Sequence, residues 1–336
     1  MSEKIENVLH LFDEKYYLLA NSDVKAAVEA KQFSSGKEHY LKFGYSEGRP
    51  LRISGVHRRT EKVLLEINAS GKGLEIGPSH NPIAPKSSGY QVEIVDHLSA
   101  EDLREKYKDH NLQLEKIEDV DYVWSGEKLS DLVGGLNQYD WIIASHVIEH
   151  VPDLISFFQE CEKLLICGDG VLALVVPDMR YCFDCLSPLT TVGELLDAYE
   201  SKRSRPTPGQ IFNHYSRAAL RNGAIAWSQK DYGAISFAHH FSEATETYKK
   251  AVNFPEYIDT HCWRFTPESF ELIMNDLCDL GMIDLTIKSS YDTAGCEFHI
   301  NLKMSNEPKK VFSDSDRLLR LVEIAGLSHA KKEKDL

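Results

Sequence analysis

Apolar positions in this chain follow three different rhythms. Over the first 50 residues they recur at helical intervals, in FDEKYYLLANSDVKAAVEAKQFSSGKEHYLKFGYSEGRP. Asn21-Ser22-Asp23 can cap a helix over Val24 to Ala30, and Ser34-Ser35-Gly36 interrupts it. A second amphipathic segment runs from His39 to Phe43, and Gly44 with Gly48-Arg49-Pro50 closes the unit. A unit this small buries little core of its own, so it is expected to dock on something.

From about residue 60 wholly apolar runs alternate with amphipathic ones. GKGLEIG, QVEIVDH, YDWIIASHV and GVLALVVPD read as buried strands. Glu61 to Ala69, SAEDLREKY and VPDLISFFQECEKLL read as helices, with Ser99 as an N-cap, Asp102 at the capping-box position, and Gly168 and Gly170 after the last. Such alternation implies parallel strands joined by crossover helices. Residues 185 to about 262 break the rhythm with histidines, aromatics and prolines such as Pro206 and Pro208, and predict a mostly helical insertion over the carboxyl edge of the sheet, where such folds place a ligand. FTPESFELIMNDLCDLG resumes as a capped helix, MIDLTIKS and CEFHINLKM as a closing antiparallel pair, and a short amphipathic helix after Pro308 precedes the solvated tail KKEKDL. The expected fold is α/β, a Rossmann-like doubly wound, mostly parallel sheet with a helical insertion and a small N-terminal helical module. The expected domains are residues 1–52, 53–305 and 306–336.

Composition narrows the function classes. A formal charge of −14 over 336 residues argues against a chain whose main task is to grip nucleic acid or an anionic membrane. No run reaches the roughly 18 to 20 apolar residues needed to span a bilayer. The opening MSEKIENVLHLFDEKYY lacks the cationic start and apolar stretch of a signal peptide. Seven irregularly spaced cysteines fit reduced thiols in a cytoplasm, and Cys182 and Cys185 lack the second pair of a zinc site.

The strongest chemical signal is LEIGPSHNP. Glu75-x-Gly77 at a strand end gives a tight turn in which the missing Cβ lets a ligand approach, and Asp96 closes the next strand about 20 residues on, where an acid holds ribose hydroxyls. The G-x-G-x-x-G that cradles a pyrophosphate is absent. S-adenosyl-L-methionine (SAM) carries no phosphate and tolerates a one-glycine loop that serves NAD poorly.

On these residues, the stretch from about 60 to 180 resembles the class I SAM-dependent methyltransferases of the type 11-like group. The resemblance implies that the loop of Glu75, Gly77, Pro78 and Ser79 meets the methionine part of SAM and that Asp96 takes the ribose. It places Trp124 and Ser125 near adenine and makes Ser145 a further cofactor contact. SHVIEHVPD is similar to that family's V-L-E-H-V motif, through Val147, Ile148, Glu149, His150 and Val151. LEIGPSHNP, VEIVDH, ASHVIEH and VPDxRYCFD together resemble a subgroup from bacterial polysaccharide gene neighbourhoods. That likeness implies methylation of a glycan or nucleotide-sugar acceptor. Tyr17, Leu18, Asn21, Asp23 and Val24, then His39, Tyr40, Gly44, Glu47, Gly48 and Arg49, resemble a short module found beside bacterial glycosyltransferases, which makes a glycosyltransferase an expected partner.

A sugar hydroxyl is a weak nucleophile near neutral pH, so a base, or a metal, must assist it. His146, Asp178 and His261 are the candidate bases, and His150, Arg180 and Tyr181 the candidate acceptor contacts. No metal-ligating set is identified, and His239-His240 reads as a lid feature. The expected function is SAM-dependent O-methylation of a sugar hydroxyl of a bacterial surface polysaccharide or its precursor. A methyltransferase for a small metabolite or lipid, and a non-catalytic scaffold of the same fold, are the alternatives.

Overall fold

The computed structural model describes residues 12, 14, 17, 18, 21–47, 49, 59–110, 112–304 and 312–327. Residues 1–11 of the opening segment read above for a signal peptide, Gly48 and Pro50 of the closing turn, and the KKEKDL tail lie outside them. The chain divides into two compact units, Met1–Glu61 and Lys62–Leu336.

In the first unit α1 spans Ser22–Glu29 and α2 spans Gly36–His39, continued by a π-helical turn over Tyr40–Gly44. The Ser35 side chain accepts from the Glu38 N–H and so caps α2, whereas the Asn21 side chain caps nothing and instead donates to the Tyr17 carbonyl. Tyr17, Val24 and Tyr40 form a small buried cluster against Phe12, Leu18, Val28 and Tyr45.

The second unit is built on a seven-stranded sheet. Its strands are β1 (Gly73–Ile76), β2 (Val92–Asp96), β3 (Tyr122–Val123), β4 (Trp141–Ser145), β5 (Val171–Pro177), β8 (Leu285–Ala294) and β9 (Glu297–Met304), in the order β3-β2-β1-β4-β5-β9-β8. β1 to β5 are parallel; β9 runs antiparallel to β5 and to β8. Alternate residues feed two cores. Leu74, Ile76, Ile142, Ala144, Leu172 and Leu174 enter one, while Trp141, Ile143, Val171, Ala173 and Val175 enter the other. Burial on both faces explains why these strands read as unbroken apolar runs. Gly73 makes room for Trp141, since a Cβ there would lie 2.1 Å from its ring.

α3 (Arg59–Leu64) runs across the boundary between the two units; the helices of the second are α4 (Ala100–Tyr107), α5 (Leu129–Val133), α6 (Leu154–Leu164), α7 (Val192–Glu200), α8 (Pro208–Arg217), α9 (Phe241–Asn253), α10 (Pro267–Asp279) and α11 (Asp314–Ile324). α3 ends five residues short of the expected Ala69, because the chain turns into β1 through a Gly71 N–H to Asn68 carbonyl bond. The insertion holds α7, α8 and α9 but also an antiparallel pair, β6 (Ala219–Arg221) with β7 (Ile235–Phe237), where helix alone was expected. Three-residue strands, one of them wholly exposed, leave no period-2 signal to read. Among the described residues no helix is long and apolar enough to cross a membrane.

The strand order reverses at β1, whose neighbours are β2 and β4. Ligands of such sheets bind outside the carboxyl ends of the strands at that switch point. Gly77 follows β1 and His146 follows β4, so the crevice lies between the two segments marked out by their sequence.

Candidate active site

The cofactor side is assembled from the loop after β1 and the end of β2. Gly77 has φ of +66°, and a Cβ on it would stand 2.7 Å from Val147 Cγ2. Both facts require glycine. Ser79 is also left-handed, at φ of +49°, and its N–H donates to Asp96 Oδ2 at 2.9 Å. The other oxygen of Asp96 accepts from the His97 N–H at 2.7 Å. The loop and Asp96, the acid expected to take the ribose, are thus brought together as their spacing implied. Trp124 hangs from Asp96 by its N–H, at 2.7 Å, and its indole donates to the Glu127 carbonyl, while the Ser125 N–H is held by the Glu127 carboxylate.

Glu75 does something else. It is buried, and its two oxygens accept the N–H groups of Ile83 and Ala84, at 2.6 and 3.0 Å. The expected cofactor contact is a brace for the loop, since a carboxylate filled by backbone donors has little left for a ligand.

The acceptor side begins where β4 ends. Ser145 pairs with Val175, and His146 then adopts φ of +54° with its N–H on the Val175 carbonyl. A left-handed histidine at a strand end is a local strain that the surroundings must hold. Its Nε2 donates to Glu297 Oε2 at 2.7 Å, and its Nδ1 lies 3.6 Å from Glu149 Oε1. Glu297 reaches this edge because it opens β9 opposite Pro177, at the carboxyl end of β5.

His150 donates from Nδ1 to Asp259 Oδ1 at 2.8 Å, and His261 from Nδ1 to Asp184 Oδ2 at 2.5 Å. Arg264 shares Asp184, through Nε at 3.0 Å. The two imidazoles meet edge to face, with centroids 4.6 Å apart. Burial pulls the His150 pKa down, but the Asp259 hydrogen bond and the charges of Glu149, Asp259 and Asp184 outweigh it and leave it above the ordinary value. Its partner Asp259 is held down at about 2, first by the His150 hydrogen bond. Burial, then His261, pushes the neighbouring His214 down to about 4.

Two expected site residues are placed differently. Asp178 is fully buried; its carboxylate accepts Arg180 Nε and Nη2, at 2.9 and 2.6 Å, and Thr293 Oγ1 at 2.6 Å. It holds the turn over Met179–Tyr181 instead of awaiting a proton, and Arg180 is spent on Asp178 and, at 3.7 Å, on Glu268. Tyr181 packs under the Arg180 guanidinium at 5.7 Å. The structure brings together four other residues that sequence reasoning left without a role: Glu149, Asp184, Asp259 and Glu297. Glu149 and Asp184 stood inside quoted motifs, and Asp259 lies two residues before His261. Glu297 gave no local signal.

One cavity, of about 170 Å³, opens inside the insertion between Phe183, His214, Ala218, Ile225, Ala238 and His239. Phe183 stacks 4.6 Å from His261, which sets this cavity beside the acceptor residues. A larger hollow of about 300 Å³, between α10, the β8–β9 pair and α11, contains none of the site residues.

Fold and crevice define an α/β enzyme of the class I methyltransferase type. The family model described as a methyltransferase domain matches residues 45–277, and the chain belongs to that family. Its methyl donor is S-adenosyl-L-methionine. No curated protein matches the chain. Among solved structures it is similar to a SAM-dependent methyltransferase of Aquifex aeolicus, at 13% identity over 74% of this chain and 90% of that one, with a TM-score of 0.37. It is also similar to the CcbJ methyltransferase of Streptomyces caelestis, at 12% identity over 74% and 97%, with a TM-score of 0.38.

Proposed function

We propose that this methyltransferase transfers its methyl group to a sugar hydroxyl of a bacterial surface polysaccharide or its nucleotide-linked precursor, in the cytoplasm. The observation that carries this reading is the polar acceptor wall. His146, held by Glu297 at the end of β4, faces the switch-point crevice with carboxylates and imidazoles around it. A small apolar metabolite would find few partners here, whereas a hydroxyl finds a base. The adjoining cavity, lined by Phe183, His214 and His239, offers the aromatic face and polar edge that a pyranose ring uses.

His146 is the base in this scheme. Glu297 fixes the ring through Nε2, which leaves Nδ1 to take the hydroxyl proton as the oxygen attacks the methyl carbon. Alignment of the acceptor with the sulfonium supplies several kcal/mol of the barrier. The N-terminal unit, in turn, binds the glycan or a partner glycosyltransferase.

The test is transfer of label from methyl-labelled SAM to a panel of nucleotide sugars and lipid-linked glycans, by wild type and His146→Gln. Labelled sugar from wild type, with kcat at least about 100-fold lower in the variant, supports the reading. Labelling of amines or apolar metabolites only would overturn it.

A further inference from the structure

Glu149 stands out among the described residues. It is completely buried, yet neither carboxylate oxygen has a hydrogen-bond partner, and His146 Nδ1 lies 3.6 Å from its Oε1. A buried carboxylate left this way is unfavourable by several kcal/mol unless something pairs with it. Glu149, His150 and His261 each offer a ligand atom, and these atoms all lie within 4.8 Å of one another.

We infer that Glu149, His150 and His261 form a divalent metal site of the two-histidine, one-carboxylate kind, placed to bind the oxygen of the acceptor. Each histidine gives its Nδ1 to a carboxylate, Asp259 and Asp184 respectively, so Nε2 remains as the free nitrogen. Metal-bound histidines are held in this way, with the second ring nitrogen on a carboxylate that fixes the tautomer. The frame is tied as well. Cys262 N–H donates to the Glu149 carbonyl at 2.6 Å, and the Trp263 indole to the Val151 carbonyl at 2.6 Å, so the two ligand-bearing segments are stitched together by the chain itself.

Charge points the same way. Glu149, Asp184 and Asp259 bring three negative charges to the cluster and Arg264 one positive. A dication balances the remainder. Two imidazoles and one carboxylate suit a first-row ion such as zinc, cobalt or manganese better than magnesium or calcium. Tetrahedral zinc holds its ligands ~3.3 Å apart, so a side-chain shift of about 1 Å closes the set. Three protein ligands leave a position open, and there the acceptor hydroxyl binds and becomes more acidic. Its proton passes to His146, its oxygen forms the new bond to the methyl carbon, and the C–S pair stays on sulfur as S-adenosylhomocysteine leaves.

This inference rests on the methyltransferase reading of the site, and the test separates the two. Full-length protein stripped with EDTA is titrated with cobalt alone, then with S-adenosylhomocysteine alone. The expected result is one cobalt per chain, with a visible d–d spectrum free of thiolate charge transfer. Affinity should fall at least about 100-fold in Glu149→Gln and in His261→Ala. Thermal melts guard against misfolding: metal-free Glu149→Gln should melt no lower than wild type, and cobalt should raise the wild-type melt only. Cobalt bound equally by wild type and both variants, or no stoichiometric binding, overturns the metal site even where S-adenosylhomocysteine binds. Cobalt binding without S-adenosylhomocysteine binding would leave the metal site standing and sink the methyltransferase reading.

Discussion

The N-terminal unit and the acceptor side of the methyltransferase unit both carry polar residues drawn from short, recognisable motifs, and they treat them in opposite ways. In the N-terminal unit the motif satisfies itself. Tyr17 OH pairs with His39 Nδ1 at 2.8 Å, the Asn21 amide donates to the Tyr17 carbonyl, and Arg49 bridges Asp23 and Glu47, both at 2.8 Å. Gly44 is glycine because a Cβ would stand 2.2 Å from the Tyr17 hydroxyl. On the acceptor side, His146 sits in a left-handed conformation and Glu149 is buried without a hydrogen bond. A motif whose members bind one another encodes a shape. One whose members stay strained or unpaired is held open for something else.

The sharpest way to break this contrast lies on the cofactor side. Asp96→Ala removes the acceptor expected for the ribose hydroxyls and also the anchor of the Ser79 N–H. Two hydrogen bonds to a charged group correspond to about 4 kcal/mol, on the order of a thousandfold in affinity. Calorimetric titration with S-adenosylhomocysteine should show that loss. A variant that still binds within tenfold would mean that Asp96 only braces the loop, as Glu75 does.

Acid should distinguish the two units next. His214 is pushed down to about 4 in the folded protein, chiefly by burial, and its Nδ1 is buried without a partner. An unfolded histidine titrates near 6.5, so between about 6.5 and 4 the unfolded chain binds the proton more readily. Stability therefore falls as pH drops through that window, by at most about 3 kcal/mol. His150, with its pKa raised, contributes in the opposite sense: its share is present below the unfolded value and lost as pH rises through the folded one. All four tryptophans, at 124, 141, 227 and 263, belong to the second unit, so their fluorescence reads it alone. Urea midpoints followed this way at pH 7.5 and 4.5 should converge in His214→Gln. If they stay as far apart as in wild type, the loss belongs to another group.

What the sequence could say follows the same division. Strands buried on both faces leave continuous apolar runs, and so β1, β2, β4 and β5 fall within the runs that marked them. Gly77 and Asp96 were legible because the turn and the strand end are local. Glu297 was not, since it meets His146 across 151 positions and nothing near it in sequence reports a partner. Asp178 shows the other failure. Its motif was located, but Thr293, 115 residues away, helps turn an expected base into a structural acceptor. Glu149 was visible as a letter in a motif; that its carboxylate is buried and unpaired is a property of packing alone.

Within the N-terminal unit, Gly44→Ala should have a middle-sized effect. Overpacking against Tyr17 destabilises by about 2 kcal/mol. Hydrogen exchange at Val24 and Tyr40 should speed up by at least tenfold, while the tryptophan-detected transition stays where it is. Unchanged exchange would mean that the Tyr17 hydroxyl moves aside at no loss.

The smallest effect decides most about the module. Arg49 looks functional in the motif, yet its partner Asp23 has a side chain 60% exposed, and exposed pairs of this kind contribute under about 1 kcal/mol. Arg49→Ala should therefore leave the exchange rates of Val24 and Tyr40 within about fivefold of wild type. The binding to a polysaccharide or glycosyltransferase proposed for this unit is a separate readout. If that binding survives, Arg49 is part of the self-satisfied shape, and the ligand-facing residues of the unit lie elsewhere. If binding is lost while exchange is unmoved, the guanidinium is shared between Asp23, Glu47 and the partner, and the N-terminal motif is also held open for something else.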